Sequence, residues 1–308
     1  MSKPRSVNIV LPATSANLGP AFDAAALAFN LFLKVRARES KSFVVRATGR
    51  DTRVCEQVDE HLILTTYRDV LTMEGKPIVP LTLAIDNQIP IGKGCGSSAA
   101  ARLAGITLAI RFGKLKWNDR QILSEASNRE HHPDNASACW VGGVTVASSS
   151  GGAINIANIR PKGTWPLLLA VPEKVLSTED ARRTLPSQYS RGDVVANIQN
   201  SLLLMAAFVN GRPDLIRDSL QDRIHQPYRA PLCNLLAPLQ ELAGTQGILG
   251  ACLSGAGPSV LMFLDPKTSA TRAQHRIEAH LAGNGLSAEL IPAAITNRGA
   301  RLSFGIGR

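Results

Sequence analysis

Residues 90–101 read PIGKGCGSSAAA: three glycines within five positions, then two serines and a run of alanines. Glycine loosens regular structure and alanine is the strongest helix former, so the stretch predicts a loose turn feeding directly into a firm helix. The first N–H groups of a helix have no intrahelical acceptor and carry partial positive charge. Glycines just before them let an anion reach the backbone. Pro90, Gly92, Gly94, Cys95 and Gly96, followed by Ser97 and Ser98, therefore read as a phosphate cradle. Lys93 adds a formal cation, and the hydroxyls could cap the helix, touch phosphate or ligate magnesium. Taken without the rest of the chain, the stretch fits a flexible connection with a serine cap equally well. It is neither GxxxxGK[ST] nor GxGxxG, so two familiar nucleotide motifs are excluded.

A second loop of this kind occurs at LSGAGPS (253–259), where Gly255 and Gly257 separate two apolar, strand-like stretches. By itself it reads as a tight turn. Two loops able to present backbone N–H groups, in a chain of net charge +10, favour nucleotide phosphates as the anionic partner. Nucleic acid is not expected: the basic residues are scattered, the aromatics are sparse, and no basic stripe forms. The five cysteines are an odd number at wide spacings with no CxxC pair, against both a disulfide framework and a zinc ribbon. No apolar run reaches the roughly 18–20 residues of a membrane span. The basic, then briefly apolar N-terminus has no convincing cleavage site, so the expectation is a cytoplasmic protein without a membrane.

Strands are expected at 7–11, 31–37, 43–47 and 80–86, with a helix over 59–74. Further helices are expected from Ser97 to a stop at Gly113, and from Asn118 or Asp119 to just before HHPDN (131–135). A hairpin around SSSGG (148–152) and a strand at 165–172 come next. The second half mixes helices (177–185, 192–210, 213–223, 231–243, 269–282) with strands near 248–253, 259–264 and 287–295. Strands and helices interleave without a βαβ rhythm, which predicts α+β. The length suggests two domains, divided as 1–160 and 161–308.

With these stretches in hand, the chain resembles the GHMP kinases, whose central and C-terminal glycine motifs are similar to PIGKGCGSSAA and LSGAGPSV. Within that superfamily PATSANLGPAFD (12–23), HPDNASACWVGG (132–143), STEDARRTLP (177–186) and DRIHQPYR (222–229) look like homoserine kinases. The resemblance implies an N-terminal α+β nucleotide-binding domain and a ferredoxin-like α+β domain with the active site between them. It implies transfer of the ATP γ-phosphoryl group to the side-chain hydroxyl of L-homoserine, with Mg2+, in an enzyme that is commonly a homodimer. Another acceptor such as mevalonate, or an inactive nucleotide- or amino-acid-binding regulator, is the alternative.

An amino-acid substrate needs partners for an ammonium, a carboxylate and a hydroxyl. Asp23 can pair with the ammonium, and Asn17 offers both donor and acceptor. Arginine's fork suits the carboxylate. The resemblance selects Arg182 and Arg229 for this, with Thr178 one helical turn before Arg182. It also selects Glu130 and Ser98 as the magnesium contacts, with Ser97 and Glu125 as alternatives. The resemblance picks Asn135 as the group that would hold the accepting hydroxyl, with Asp134 as the rival base. The pattern departs from the family at Ala21, usually glycine, and at Cys95, usually leucine. His61 stands where relatives often carry an asparagine near the adenine.

Overall fold

The computed structural model describes residues 5–150 and 153–306. Its strands are β1 (Arg5–Ala16), β2 (Ala25–Glu39), β3 (Val44–Gly49), β4 (Leu81–Asn87), β5 (Val144–Ser150), β6 (Ala153–Ile159), β7 (Pro166–Val171), β8 (Ile248–Leu253), β9 (Val260–Leu264), β10 (Glu289–Ala294) and β11 (Arg301–Ile306). The helices are α1 (Thr52–Cys55), α2 (Leu62–Met73), α3 (Ser97–Gly113), α4 (Asp119–Glu130), α5 (Asp134–Val141), α6 (Thr178–Arg183), α7 (Arg191–Asn210), α8 (Ile216–Ser219), α9 (Gln226–Arg229), α10 (Leu236–Glu241) and α11 (Ala270–Gly283).

Two sheets organise the chain. In the first, β11, β1, β2, β4 and β3 lie side by side, and β5 with β6 joins the opposite end of the long strand β2. β2 serves both groups because its residues 25–27 pair with β5 while 33–39 pair with β4. A register shift between Pro12 and Ala13 on β1 bends the sheet between these two regions. Alternation then sorts the faces: Val7, Ile9, Leu11 and Ala13 of β1 are fully buried. Helix α3 is buried on most of its circumference, and Gly105 brings it against α2, where a Cβ would lie 2.6 Å from the Ile63 carbonyl oxygen.

The second sheet is antiparallel in the order β10-β7-β9-β8. With helices after β7 and β9, this is the split βαβ order of a ferredoxin-like domain. One face, with Leu168, Ala170, Val260 and Met262, packs on Leu239 of α10 and Ile277 of α11. The other, with Leu169 and Phe263, takes Leu204 and Phe208 of α7 into a core shared with the first sheet.

Strand membership changes from the first sheet to the second between Ile159 and Pro166, beside the expected boundary at residue 160. The C-terminal β11 nevertheless returns to pair with β1, so it does not follow the sequence order of that division. Helix α4 ends before HHPDN as expected, and a helix the pattern did not announce, α5, follows with Pro133 as its N-terminal cap residue, since proline is tolerated where a helix N–H would be free anyway. Two local expectations are corrected. The helix expected over 213–223 is a 3-10 turn at Pro213–Leu215 and the single turn α8, and that over 231–243 shortens to α10. The turn of the β5–β6 hairpin includes residues 151–152, which lie outside the described residues, while the strands beside it pair as expected.

Candidate active site

Three chain segments converge at the start of α3. Gly92, Gly94 and Gly96 all have positive φ, with Gly96 the N-terminal cap residue of the helix. No side chain caps α3, so the serines do not close the helix end and its first N–H groups stay open. The second glycine loop packs backbone on backbone against the first: a Cβ on Gly94 would lie 2.1 Å from the Ser254 carbonyl oxygen. Ser254 Oγ donates to Gly94 O at 2.7 Å. Asn17 Nδ2 donates to Gly255 O at 2.8 Å and its Oδ1 accepts from the Asp23 N–H at 2.9 Å, which ties the β1–β2 connection to the same point.

These segments border a cleft of about 1030 Å³ between the two sheets. Every expected site residue lines it except Pro90, Lys93 and Gly257. One end is apolar, with Leu33, Val54, Ile63, Ile85 and Ile89, and suits a flat heterocycle. His61 is at this end, but its Nδ1 accepts from the Ile63 N–H at 3.2 Å and so caps α2. The other end is polar and charged, and the glycine loop lies between them.

At the polar end Glu130, the last residue of α4, accepts a short hydrogen bond from Ser98 Oγ. Arg102 Nε donates to the same Glu130 oxygen at 2.6 Å. The serine hydroxyl and the glutamate carboxylate are hard oxygen donors side by side at the cradle, which fits a magnesium ion. Glu125, the alternative, is held by Arg129 at 2.6 Å and does not line the cleft. Asn135 sits in the first turn of α5, where Thr14 Oγ1 donates to its Oδ1 at 2.7 Å. Asp134 is buried, and its Oδ1 accepts from His132 Nδ1 at 2.6 Å, from the Asn135 N–H at 2.6 Å and from Asn135 Nδ2 at 3.3 Å. Burial alone would lower the His132 pKa, but the hydrogen bond and charge of Asp134, aided by Asp23 and Glu130, raise it overall.

The arginines differ sharply. Arg182 pairs with both oxygens of Asp23 at 2.8 and 2.9 Å, a bridge from α6 to the β1–β2 connection. Arg229 is 1% exposed, and among the described residues no carboxylate lies within 4.0 Å of it. Its hydrogen-bond partners are the Ala181 carbonyl, 3.3 Å from Nε, and His225 Nδ1, 3.2 Å from Nη1. Burial, then the neighbouring Arg182 charge, pushes its pKa down. Phe22 lies between the two, 5.3 Å from Arg182 and 5.2 Å from Arg229, and stacks on His225 at 5.2 Å.

Lys93 departs from expectation. Its Nζ donates to Pro172 O at 2.8 Å and to Glu173 O, so it ties the loop to the chain after β7 instead of facing the cradle. The Cys95 thiol is buried and its pKa is pushed up to about 12, which leaves it inert. Ala21 keeps negative φ and therefore needs no glycine. The sequence reading missed Phe22, Arg102 and His225. Phe22 directly precedes Asp23, and Arg102 stands four residues after Ser98 on the same helix face, so both had a positional signal.

Family models for the GHMP kinases N terminal domain and GHMP kinases C terminal match residues 61–143 and 204–283. A homoserine kinase of Solibacter usitatus is 37% identical over 96% of this chain and 97% of its own. That of Deinococcus radiodurans is 34% identical over 94% and 95%. The chain belongs to the GHMP kinases, in the homoserine kinase family. Among solved structures, the homoserine kinase from Cytophaga hutchinsonii superposes with a TM-score of 0.80 at 25% identity, covering 97% of both chains. The phosphomevalonate kinase of Streptococcus pneumoniae, at 13% identity and a TM-score of 0.64, shares the fold.

Proposed function

We propose that this GHMP kinase transfers the γ-phosphoryl group of ATP to the side-chain hydroxyl of L-homoserine, giving O-phospho-L-homoserine, the step before threonine formation. The observation that carries the substrate assignment is Arg229: a fully buried guanidinium with no carboxylate within 4.0 Å among the described residues, at the end of the cleft that adjoins Asp23 and Arg182. An uncompensated buried charge is costly, so the site is built for an anionic group of the ligand. The substrate carboxylate answers Arg229, and the Asp23 carboxylate answers its ammonium. Arg182 and Asp23 are 41% and 30% exposed, and a pair so exposed contributes on the order of 0–1 kcal/mol, so a zwitterion can take both partners. Thr178 opens α6 on the same wall, beside Arg182.

Positioning accounts for the chemistry. The uncapped start of α3 and the backbone of Gly94 and Gly96 would hold the phosphates, and the aligned dipole of the helix would stabilise their charge. Ser98 and Glu130 would hold magnesium, which neutralises charge on the transferred group when bound. Asn135 is held by Thr14 and Asp134 in a fixed orientation from which its amide can align the accepting hydroxyl. Asp134 Oδ1 is committed to three donors, and the reading needs no dedicated base. Incubation with ATP, Mg2+ and L-homoserine should yield O-phospho-L-homoserine by phosphorus NMR. ATP consumed to inorganic phosphate alone would refute the assignment.

A homodimer and a cytoplasmic location go with this reading. On α7, Val195, Ile198, Leu202 and Val209 recur at spacings of three, four and seven and are 46%, 54%, 66% and 54% exposed. That is the seam a second helix of the same kind would cover. α7 is also long and apolar enough to cross a membrane by length and composition, but Leu204, Ala207 and Phe208 on its other face are in the core. Light scattering that finds only monomer at micromolar concentration would overturn the dimer. All five cysteines are free and buried thiols, in keeping with a reducing compartment.

A further inference from the structure

The cradle at the start of α3 needs a cation for a polyphosphate, and the structure takes Lys93 away from it. The other cations that line the cleft are already engaged or distant in role. Arg129 is held between Glu125 at 2.6 Å and Asp69 at 2.9 Å. Arg182 is on Asp23, and Arg229 is buried at the acceptor end. Arg102 differs. It lies on α3 one turn beyond Ser98, its side chain is 25% exposed, and it lines the cleft. Only its Nε is bonded, to Glu130 Oε1 at 2.6 Å. Its two Nη groups, with four N–H donors, have no protein partner among the described residues.

We propose that Arg102 is the phosphate-binding cation of this cradle, in the role the sequence assigned to Lys93. The ion pair with Glu130 keeps the guanidinium within reach of the helix start. It leaves the fork free for phosphate oxygens, which a planar guanidinium can meet with two parallel hydrogen bonds. Glu130 thereby has a counter-charge when no divalent ion is present. Once Glu130 is drawn to a divalent ion, Arg102 needs another anion, and the phosphates are the nearest candidate. The fit of Ser98 and Glu130 to magnesium described above makes the pair a positioning device as well as a store of charge.

This rests on the reading of the cleft as an ATP site, and the experiment separates the two. ATP and adenosine are titrated calorimetrically into the wild type, Arg102→Met and Arg102→Lys in the presence of EDTA, with melting temperatures measured in parallel. ATP affinity should fall ~10-fold or more in Arg102→Met, while adenosine affinity stays within about 2-fold and Arg102→Lys recovers part of the loss. Equal ATP affinities for wild type and Arg102→Met, whatever happens to the melting temperature, would reduce Arg102 to a structural counter-ion of Glu130 and overturn the proposal. A parallel loss for ATP and adenosine would do the same. A wild type that binds neither sinks the nucleotide reading itself. Should Arg102→Met fail to fold, Arg102→Lys alone decides: it keeps the charge but not the fork, and unchanged ATP affinity would deny the fork its role.

Discussion

Asp134 is the side chain that best separates positioning from base catalysis. Its Oδ1 receives three donors, and two of them belong to Asn135, the group proposed to align the acceptor. Asp134→Asn keeps an acceptor oxygen for the Asn135 N–H, so kcat should fall by less than about 10-fold. A loss of ~100-fold with a folded protein and an altered pH–rate profile would assign a base. The residues nearest the motifs were the most legible. Asn17, Asp23, Glu130 and Asn135 all line the cleft: Glu130 ends a helix that the pattern marks, while the other three were picked out by the resemblance of the motifs that contain them. Lys93 and Arg102 were not separable in that way. A lysine inside a glycine loop has several carbonyls within reach of its flexible stem. Which one it meets depends on the chain after β7, nearly eighty residues away in sequence.

Helix α3 carries the cradle at one end and an uncorrected strain at the other. Gly113 was the expected stop, but it is the last helical residue, and Lys114 takes the left-handed position with φ 55°. Such C-terminal positions favour glycine, which has no Cβ to strain. Lys114→Gly should therefore raise stability by about 0.5–1 kcal/mol in urea unfolding, without changing kcat. A loss of stability would mean that the lysine stem contributes packing that outweighs the strain. The helix itself was legible in its alanines and its flanking glycines. Helix α5 was not, because eight residues after a proline carry too little periodicity. Strand β11 was missed for another reason: its partner β1 lies at the opposite end of the chain, and its pairing is a tertiary event.

Across the molecule, the charged end of the cleft ties enzyme stability to pH through two histidines of opposite sign. His225 is buried between Gly19, Arg229 and Asp222, and burial chiefly pushes its pKa down to about 4. An unfolded histidine titrates near 6.5. Between these values the unfolded chain binds the extra proton, so His225 costs no stability above about pH 6.5 and an increasing amount as pH falls toward 4. His132 contributes the reverse: its raised pKa stabilises the fold below about 6.5, and that contribution is lost as pH rises through its folded-state value. The urea midpoint should therefore fall from pH 6.5 to 4 in the wild type and less steeply in His225→Gln, while His132→Asn should leave that slope nearly unchanged and remove a decline that the wild type shows as pH rises above about 6.5. A His225→Gln slope equal to the wild type's below pH 6.5, or a His132→Asn profile equal to it above, would deny the corresponding assignment. The α+β class and the two glycine loops were visible in the chain, but the cleft was not, because it forms only where the β1–β2 connection, α3 and α6 meet. The most direct measurement is the rate of ADP release with ATP and Mg2+ on L-homoserine, mevalonate and galactose in turn. The account predicts a kcat/KM for L-homoserine at least ~100-fold above the others, reduced ~100-fold or more by Arg229→Met through KM. Turnover of mevalonate or galactose in preference to L-homoserine would contradict it.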